Sequence, residues 1–167
     1  MRQVRVQWEG PFSVEEVLRL NHEENDYGLY QIYGRHVIFG EGSLLYIGKA
    51  RDQTFATRFR QHQAEWLSKE QGITIRVGRI IREDYAQEPP DWPDWCRLLT
   101  DAESLEIYTH SPPYNSSNIS EYRGQPLRVI NIGERGSLIA ECESIGLQPR
   151  PKDASDSSEA AEIVPLG

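Results

Sequence analysis

Apolar and polar positions alternate over residues 3–8, QVRVQW, and this period of two predicts a short strand. The pattern then changes. Val14, Val17, Leu18 and Leu20 form a helical stripe behind Ser13 and Glu16, which are spaced as a capping box, with Phe12 placed to staple onto Val17. A polar stretch, 21–26, ends that helix. Residues 28–33, GLYQIY, and 44–48, LLYIG, read as two strands of a hairpin. Their connection, 34–42, reads as a long glycine-rich turn around the apolar island Val37-Ile38-Phe39. Residues 53–68 have helical spacing with Phe55, Phe59 and Trp66 on one face and His62 at its edge. Residues 73–80 alternate again and predict a third strand. The acidic, proline-containing stretch 83–93 reads as a loop. A helix follows from a cap at Asp94 to about His110, with Trp95, Leu98, Leu99, Ala102 and Leu105 as its apolar stripe, and Pro112-Pro113 stops it. Beyond it the pattern predicts a strand at 127–132, a short helix at 138–145 and a disordered tail at 149–162.

This order of elements predicts an α/β fold, a small mixed domain with a central three-stranded antiparallel sheet flanked by helices. The core spans 27–118. Residues 1–26 form an N-terminal strand and helix packed on it, 119–148 a C-terminal extension and 149–167 a tail. A chain of 167 residues with 38% hydrophobic and 26% charged residues suits one globular domain. It has no run of eighteen apolar residues, so no membrane span is expected, and MRQVRVQWEG lacks the apolar stretch of a signal peptide. Cys96 and Cys142 form no close ligand pair and read as ordinary thiols of a reducing, cytoplasmic compartment.

Charge changes the picture of partners. The net charge of −8 argues against a protein that embraces a long duplex. The basic residues are nonetheless clustered: residues 49–60 hold Lys49, Arg51, Arg58 and Arg60 against one acid, Asp52, and residues 76–82 hold Arg76, Arg79 and Arg82 with no acid. Lys49, Arg51, Arg60, Arg76 and Arg79 are therefore candidate phosphate contacts, with an ordinary solvated face as the alternative for each.

Tyr30 and Tyr46 sit on adjacent predicted strands, where tyrosine is common without any catalytic role. Arg58 and His62 are four apart on one helix, so their side chains can meet; a surface arginine beside a partly buried histidine explains them equally well. Glu103 is one of several acids on a helix flank, and Glu106, one turn later, is its rival.

The combination is more specific than its members. Gly28-Leu29-Tyr30, Tyr46-Ile47-Gly48 followed by Lys49-Ala50, the helix block Arg58-Phe59-Arg60-Gln61-His62, and Glu103 leading to Pro113-Tyr114-Asn115 stand in order over residues 27–118. This set resembles the GIY-YIG nuclease superfamily. The resemblance implies a metal-dependent endonuclease that hydrolyses DNA phosphodiester bonds, with RNA still open. It implies Tyr30 as general base, Arg58 as the fork that stabilises phosphoryl charge, and Glu103 as ligand of Mg²⁺ or Mn²⁺. Tyr46 positions water or phosphate and could exchange roles with Tyr30, His62 orients a tyrosine or contacts phosphate, and Asn115 supports the site. Specificity would come from the added segments, from a homodimer or from a protein partner. Two rival expectations stand beside this one: a nucleic-acid-binding module with weak or no catalysis, and a protein-interaction domain.

Overall fold

The computed structural model describes residues 1–81 and 92–147. Six strands, β1 (Arg2–Phe12), β2 (Gly28–His36), β3 (Gly40–Ala50), β4 (Thr74–Ile80), β5 (Leu127–Gly133) and β6 (Glu141–Glu143), form one sheet in the order β3-β2-β4-β1-β5-β6. The helices among the described residues are α1 (Val14–Val17), α2 (Phe55–Glu65) and α3 (Trp92–His110), with a 3-10 turn at Leu67–Lys69.

The expected central three-stranded antiparallel sheet is thereby corrected. β3, β2 and β4 are only half of a curled, half-barrel sheet of six strands. β1 is the reason. Val4, Val6 and Trp8 point to one face and are fully buried. The strand that carries them pairs on both sides: antiparallel with β4, Val6 opposite Ile80, and parallel with β5, Val4 opposite Val129. The N-terminal segment is thus built into the sheet and links its two halves. A parallel pairing joins residues far apart in sequence and leaves no hairpin signal between them.

Three local expectations also change. Residues 138–145, expected as a helix, contain β6, which pairs antiparallel with β5 and buries Cys142 between two exposed glutamates. The connection of β2 to β3 is short: the strands run on to His36 and resume at Gly40, leaving Val37, Ile38 and Phe39 as an exposed tip. Helix α2 ends at Glu65, and Trp66 is its C-cap, with φ −151°. The capping box is present, Ser13 Oγ accepting from the Glu16 amide at 3.2 Å, but it starts a helix of one turn. Most of the expected loop at 83–93, and the tail at 149–167, lie outside the described residues.

Each face of the sheet carries one long helix. Leu29, Ile47, Val6 and Trp8 pack under Leu99, Ala102 and Leu105 of α3. Tyr30, Ile32 and Val77 pack under Phe55 and Phe59 of α2. Each such fully buried side chain contributes about 1.5–3 kcal/mol. Among the described residues no helix is long and apolar enough to cross a membrane.

Candidate active site

The two faces meet around β3, the outermost strand on its side of the sheet. Register decides what each face supplies. Tyr30 is opposite Gly48 and Ile32 is opposite Tyr46, so both tyrosines lie on the α2 face. Lys49 is opposite Leu29 and faces α3. Gly48 has a steric duty here: a Cβ at this position would collide with the Tyr30 hydroxyl and lie 2.7 Å from the Tyr46 ring. An open cavity of about 470 Å³ results, lined by Tyr30, Tyr46, Lys49, Arg58, Glu103 and Asn115 among others. Five of the six expected catalytic residues thus share one cavity, and the sixth, His62, lies directly behind it.

Hydrogen bonds set the chemistry of that rear wall. Trp66 Nε1 is 3.1 Å from His62 Nδ1, and an indole N–H can only donate. His62 Nδ1 therefore accepts. Burial, with Arg58 adding to it, lowers the His62 pKa to about 4, so the ring is neutral and its proton sits on Nε2. This Nε2–H donates to the Tyr30 hydroxyl oxygen at 2.7 Å. Arg58 Nε donates to the same oxygen at 3.2 Å. The Tyr30 oxygen thus receives two donors, and its own hydrogen is left to point away from both. Tyr46 stands beside them, its ring centroid 6.1 Å from that of Tyr30.

Electrostatics hold both phenols neutral. Burial, then Tyr46, pushes the Tyr30 pKa well up, with Arg58 opposing. Burial, then Glu103, raises that of Tyr46, again against Arg58. Arg58 is itself aimed by Gln61, whose Oε1 accepts from Nη1 at 2.8 Å, and Gln61 is braced by a paired amide contact with Gln53. On the opposite wall, Lys49 Nζ donates to Glu103 Oε2. Asn115 uses both ends of its amide on the β3 backbone, accepting from Ile47 N at 3.0 Å and donating to Ile47 O at 2.9 Å. At the cavity wall it therefore clamps the strand that carries Tyr46 and Gly48.

The basic candidates divide. Lys49 and Arg51 line the cavity, Arg51 also pairing with Asp52 at 2.7 Å. Arg60 is exposed on α2 and does not line it. Arg79 is bound to Asp26 at 2.7 Å and Glu9 at 3.1 Å, and Arg76 donates to the Glu134 carbonyl at 3.0 Å, so both serve the fold away from the cavity. Trp66, expected on the apolar face with Phe55 and Phe59, does pack against their cluster, and its N–H also reaches His62, a contact without counterpart in the sequence reading. Its spacing of four from His62 was the available signal.

Among the described residues two places have the chemistry to hold a metal. Glu103 offers one hard oxygen donor beside open polar space, which fits a hydrated dication that takes few protein ligands. Glu106, His110 and Cys142 have ligand atoms within 4.8 Å of one another. Their hydrogens are committed, however. Asn131 Nδ2 donates to Glu106 Oε1 at 2.7 Å, and Cys142 Sγ donates to Glu106 Oε2 at 3.5 Å. His110 Nε2 accepts from Ile139 N at 3.0 Å, which places its proton on Nδ1, beside the Glu106 carbonyl at 2.9 Å. A histidine that must keep its proton on the atom facing the cluster is a poor ligand there. Glu106 is fully buried and closes a structural network that continues through Asn131 to Trp8.

No family model, curated protein or solved structure matches the chain.

Proposed function

We propose that this chain is a metal-dependent endonuclease that hydrolyses phosphodiester bonds in DNA. The observation that carries the reading is the convergence of Tyr30, Tyr46, Arg58 and Glu103, from β2, β3, α2 and α3, on one polar cavity. Tyr30 and Tyr46 also pack with the apolar cluster under α2, but Arg58 and Glu103 belong to neither apolar cluster of the sheet. The reading is also supported by the ordered motifs that resemble the GIY-YIG superfamily.

Each residue has a task in such a reaction. Arg58 offers its remaining N–H donors to phosphate oxygens, held in aim by Tyr30 and Gln61. Tyr30 is the base toward the attacking water only as its phenolate: its proton first passes to solvent through the open cavity, and the donors from His62 and Arg58, with the charge of a dication at Glu103, would stabilise that form against the burial that opposes it; the phenolate oxygen then takes a proton from the water as the water oxygen bonds to phosphorus. Tyr46 orients the water or the phosphate beside it. Glu103 would hold Mg²⁺ or Mn²⁺, and such an ion supplies Lewis-acid stabilisation of phosphoryl charge. Lys49 neutralises Glu103 when no other cation does and is free to turn to the phosphate when one arrives.

The test is an assay of labelled single-stranded, duplex and branched DNA, and of RNA, with Mg²⁺ or Mn²⁺ and with chelator. Cleavage that needs the metal and is lost in Tyr30→Phe supports the reading. A retained rate in Tyr30→Phe, or no cleavage of any substrate by the wild type, sinks it and leaves a binding module, which the net charge of −8 does not favour as an electrostatic one.

A further inference from the structure

A row of five aromatic rings leads from the cavity to the tip of the β2–β3 hairpin. Ring centroids of Tyr46 and Trp66 are 6.1 Å apart, Trp66 and Tyr114 5.6 Å, Tyr114 and His36 6.0 Å, and His36 and Phe39 4.8 Å. The row begins inside the site, because Tyr46 is the wall shared by the polar cavity and a neighbouring hollow of about 300 Å³ lined by Trp66, Glu70 and Tyr114. It ends in solvent, with Phe39 67% exposed beside Val37 at 96% and Ile38 at 79%.

Tyr46 and Trp66 also pack against the core cluster, whereas Tyr114, His36 and Phe39 do not. Three of the four steps are tilted by 55° or more, so in those pairs at most one ring turns a face to its neighbour. The row is also held in place. Trp66 is fixed through its N–H to His62, and the Tyr114 backbone N–H donates to the Leu45 carbonyl at 2.9 Å. A chain of net charge −8 that leaves an apolar tip in water has a surface that needs an occupant.

We propose that this row binds single-stranded DNA by base stacking, and so leads a strand into the cavity. The assignment of the cavity to phosphodiester chemistry is the reading argued above, on which this inference rests. Proteins that bind single strands without sequence preference combine aromatic platforms for the bases with cations for the backbone, and here Lys49, Arg51 and Arg58 stand at the cavity end of the row. A duplex hides its base faces, and the row offers its backbone little: Arg35 is paired with Glu41 at 3.4 Å, and Glu70 stands at the Tyr114 hydroxyl. The Glu70 carboxylate instead suits the exocyclic amino group of a cytosine or adenine. Stacking thus supplies affinity that an acidic chain does not draw from a broad basic field.

The experiment is fluorescence anisotropy of a labelled mixed-sequence oligodeoxynucleotide in chelator, alone and annealed to its complement, against wild type, Phe39→Ala and Tyr114→Ala. Sedimentation of the free proteins accompanies it. The single strand should bind at least about tenfold more tightly than the duplex, and each variant should lose about tenfold for the single strand. Phe39 is at an exposed tip, so Phe39→Ala leaves the fold intact. Equal binding of single strand and duplex overturns the proposal. So do unchanged affinities in both variants, and so does a wild-type dimer that Phe39→Ala dissociates, since a second copy would then own the row. Binding is read without cleavage, so the two proposals fail separately: an inactive protein that binds through the row loses only the nuclease reading, and an active one indifferent to Phe39 and Tyr114 loses only this one.

Discussion

Glu103 and Glu106 stand one turn apart on α3, and each lies among polar side chains, yet their surroundings differ in kind. Glu103 faces a cavity and has Lys49 on one oxygen. Across that cavity Arg58 keeps donors in reserve, and Tyr30 sits under two donors. Glu106 is fully buried, with Asn131, Cys142 and His110 each placed against it. Around Glu106 the buried polar groups find partners within the protein, and such closure fixes a fold. Around Glu103 the groups are aimed but not all used, and unspent bonding capacity beside open space is what a reaction requires. The helix projection alone could not separate the two acids; what the sheet puts opposite each of them does.

The largest expected effect tests the open region. Glu103→Ala should reduce metal-dependent cleavage by about a thousandfold while leaving the melting temperature nearly unchanged, because Lys49 remains partly exposed and can be solvated. Glu106→Ala should do the reverse. Stripping the closed network of its acceptor should cost about 3 kcal/mol in a denaturant melt. The turnover of the molecules that stay folded should persist; a parallel loss of turnover would join the two regions into one site.

Acid should reveal the rear wall next. The His62 pKa falls to about 4 in the folded chain from an ordinary value near 6.5. The unfolded chain therefore binds the proton more readily between these values. The stability that His62 contributes is complete above pH ~6.5 and is lost progressively as pH falls from there to pH ~4, by roughly 3 kcal/mol in all. Wild type should show that loss in melts across the window, and His62→Gln should show a flatter profile. An identical slope in the two proteins would contradict the neutral, buried ring.

The smallest effect is the finest probe. Trp66→Phe keeps an aromatic ring but removes the N–H that holds His62 Nδ1 as an acceptor. The wild-type ¹⁵N spectrum should report His62 protonated at Nε2, and the variant should populate the other tautomer. Its turnover should fall by about tenfold, the worth of one hydrogen bond. A wild-type ring protonated at Nδ1 would remove the two-donor arrangement on Tyr30.

How much of this was legible beforehand follows the range of the interactions. The β2–β3 hairpin, α2, β4 and α3 are local patterns, and alternation, caps and spacing announced them. Arg58 and His62 were tied by helix geometry alone. The parallel pairing of Val4 with Val129 has no local trace, so the sheet was read at half its width. Leu138, Cys142 and Ile145 have helix-like spacing, but one exposed-buried-exposed triplet added to the β5 edge wins in context. The pairing of Lys49 with Glu103, the clamp of Asn115 on Ile47, and the turn of Trp66 out of its helix toward His62 all depend on where distant segments meet. Val37-Ile38-Phe39 was visible as an apolar island, but only its exposed placement gives it a use.

The most direct measurement is single-turnover cleavage of one labelled DNA in Mg²⁺ by Glu103→Gln and Glu106→Gln, each normalised to its folded fraction. The cavity-centred account predicts cleavage abolished in Glu103→Gln and near the wild-type rate in Glu106→Gln. Equal losses in the two variants, or an active Glu103→Gln, would contradict it.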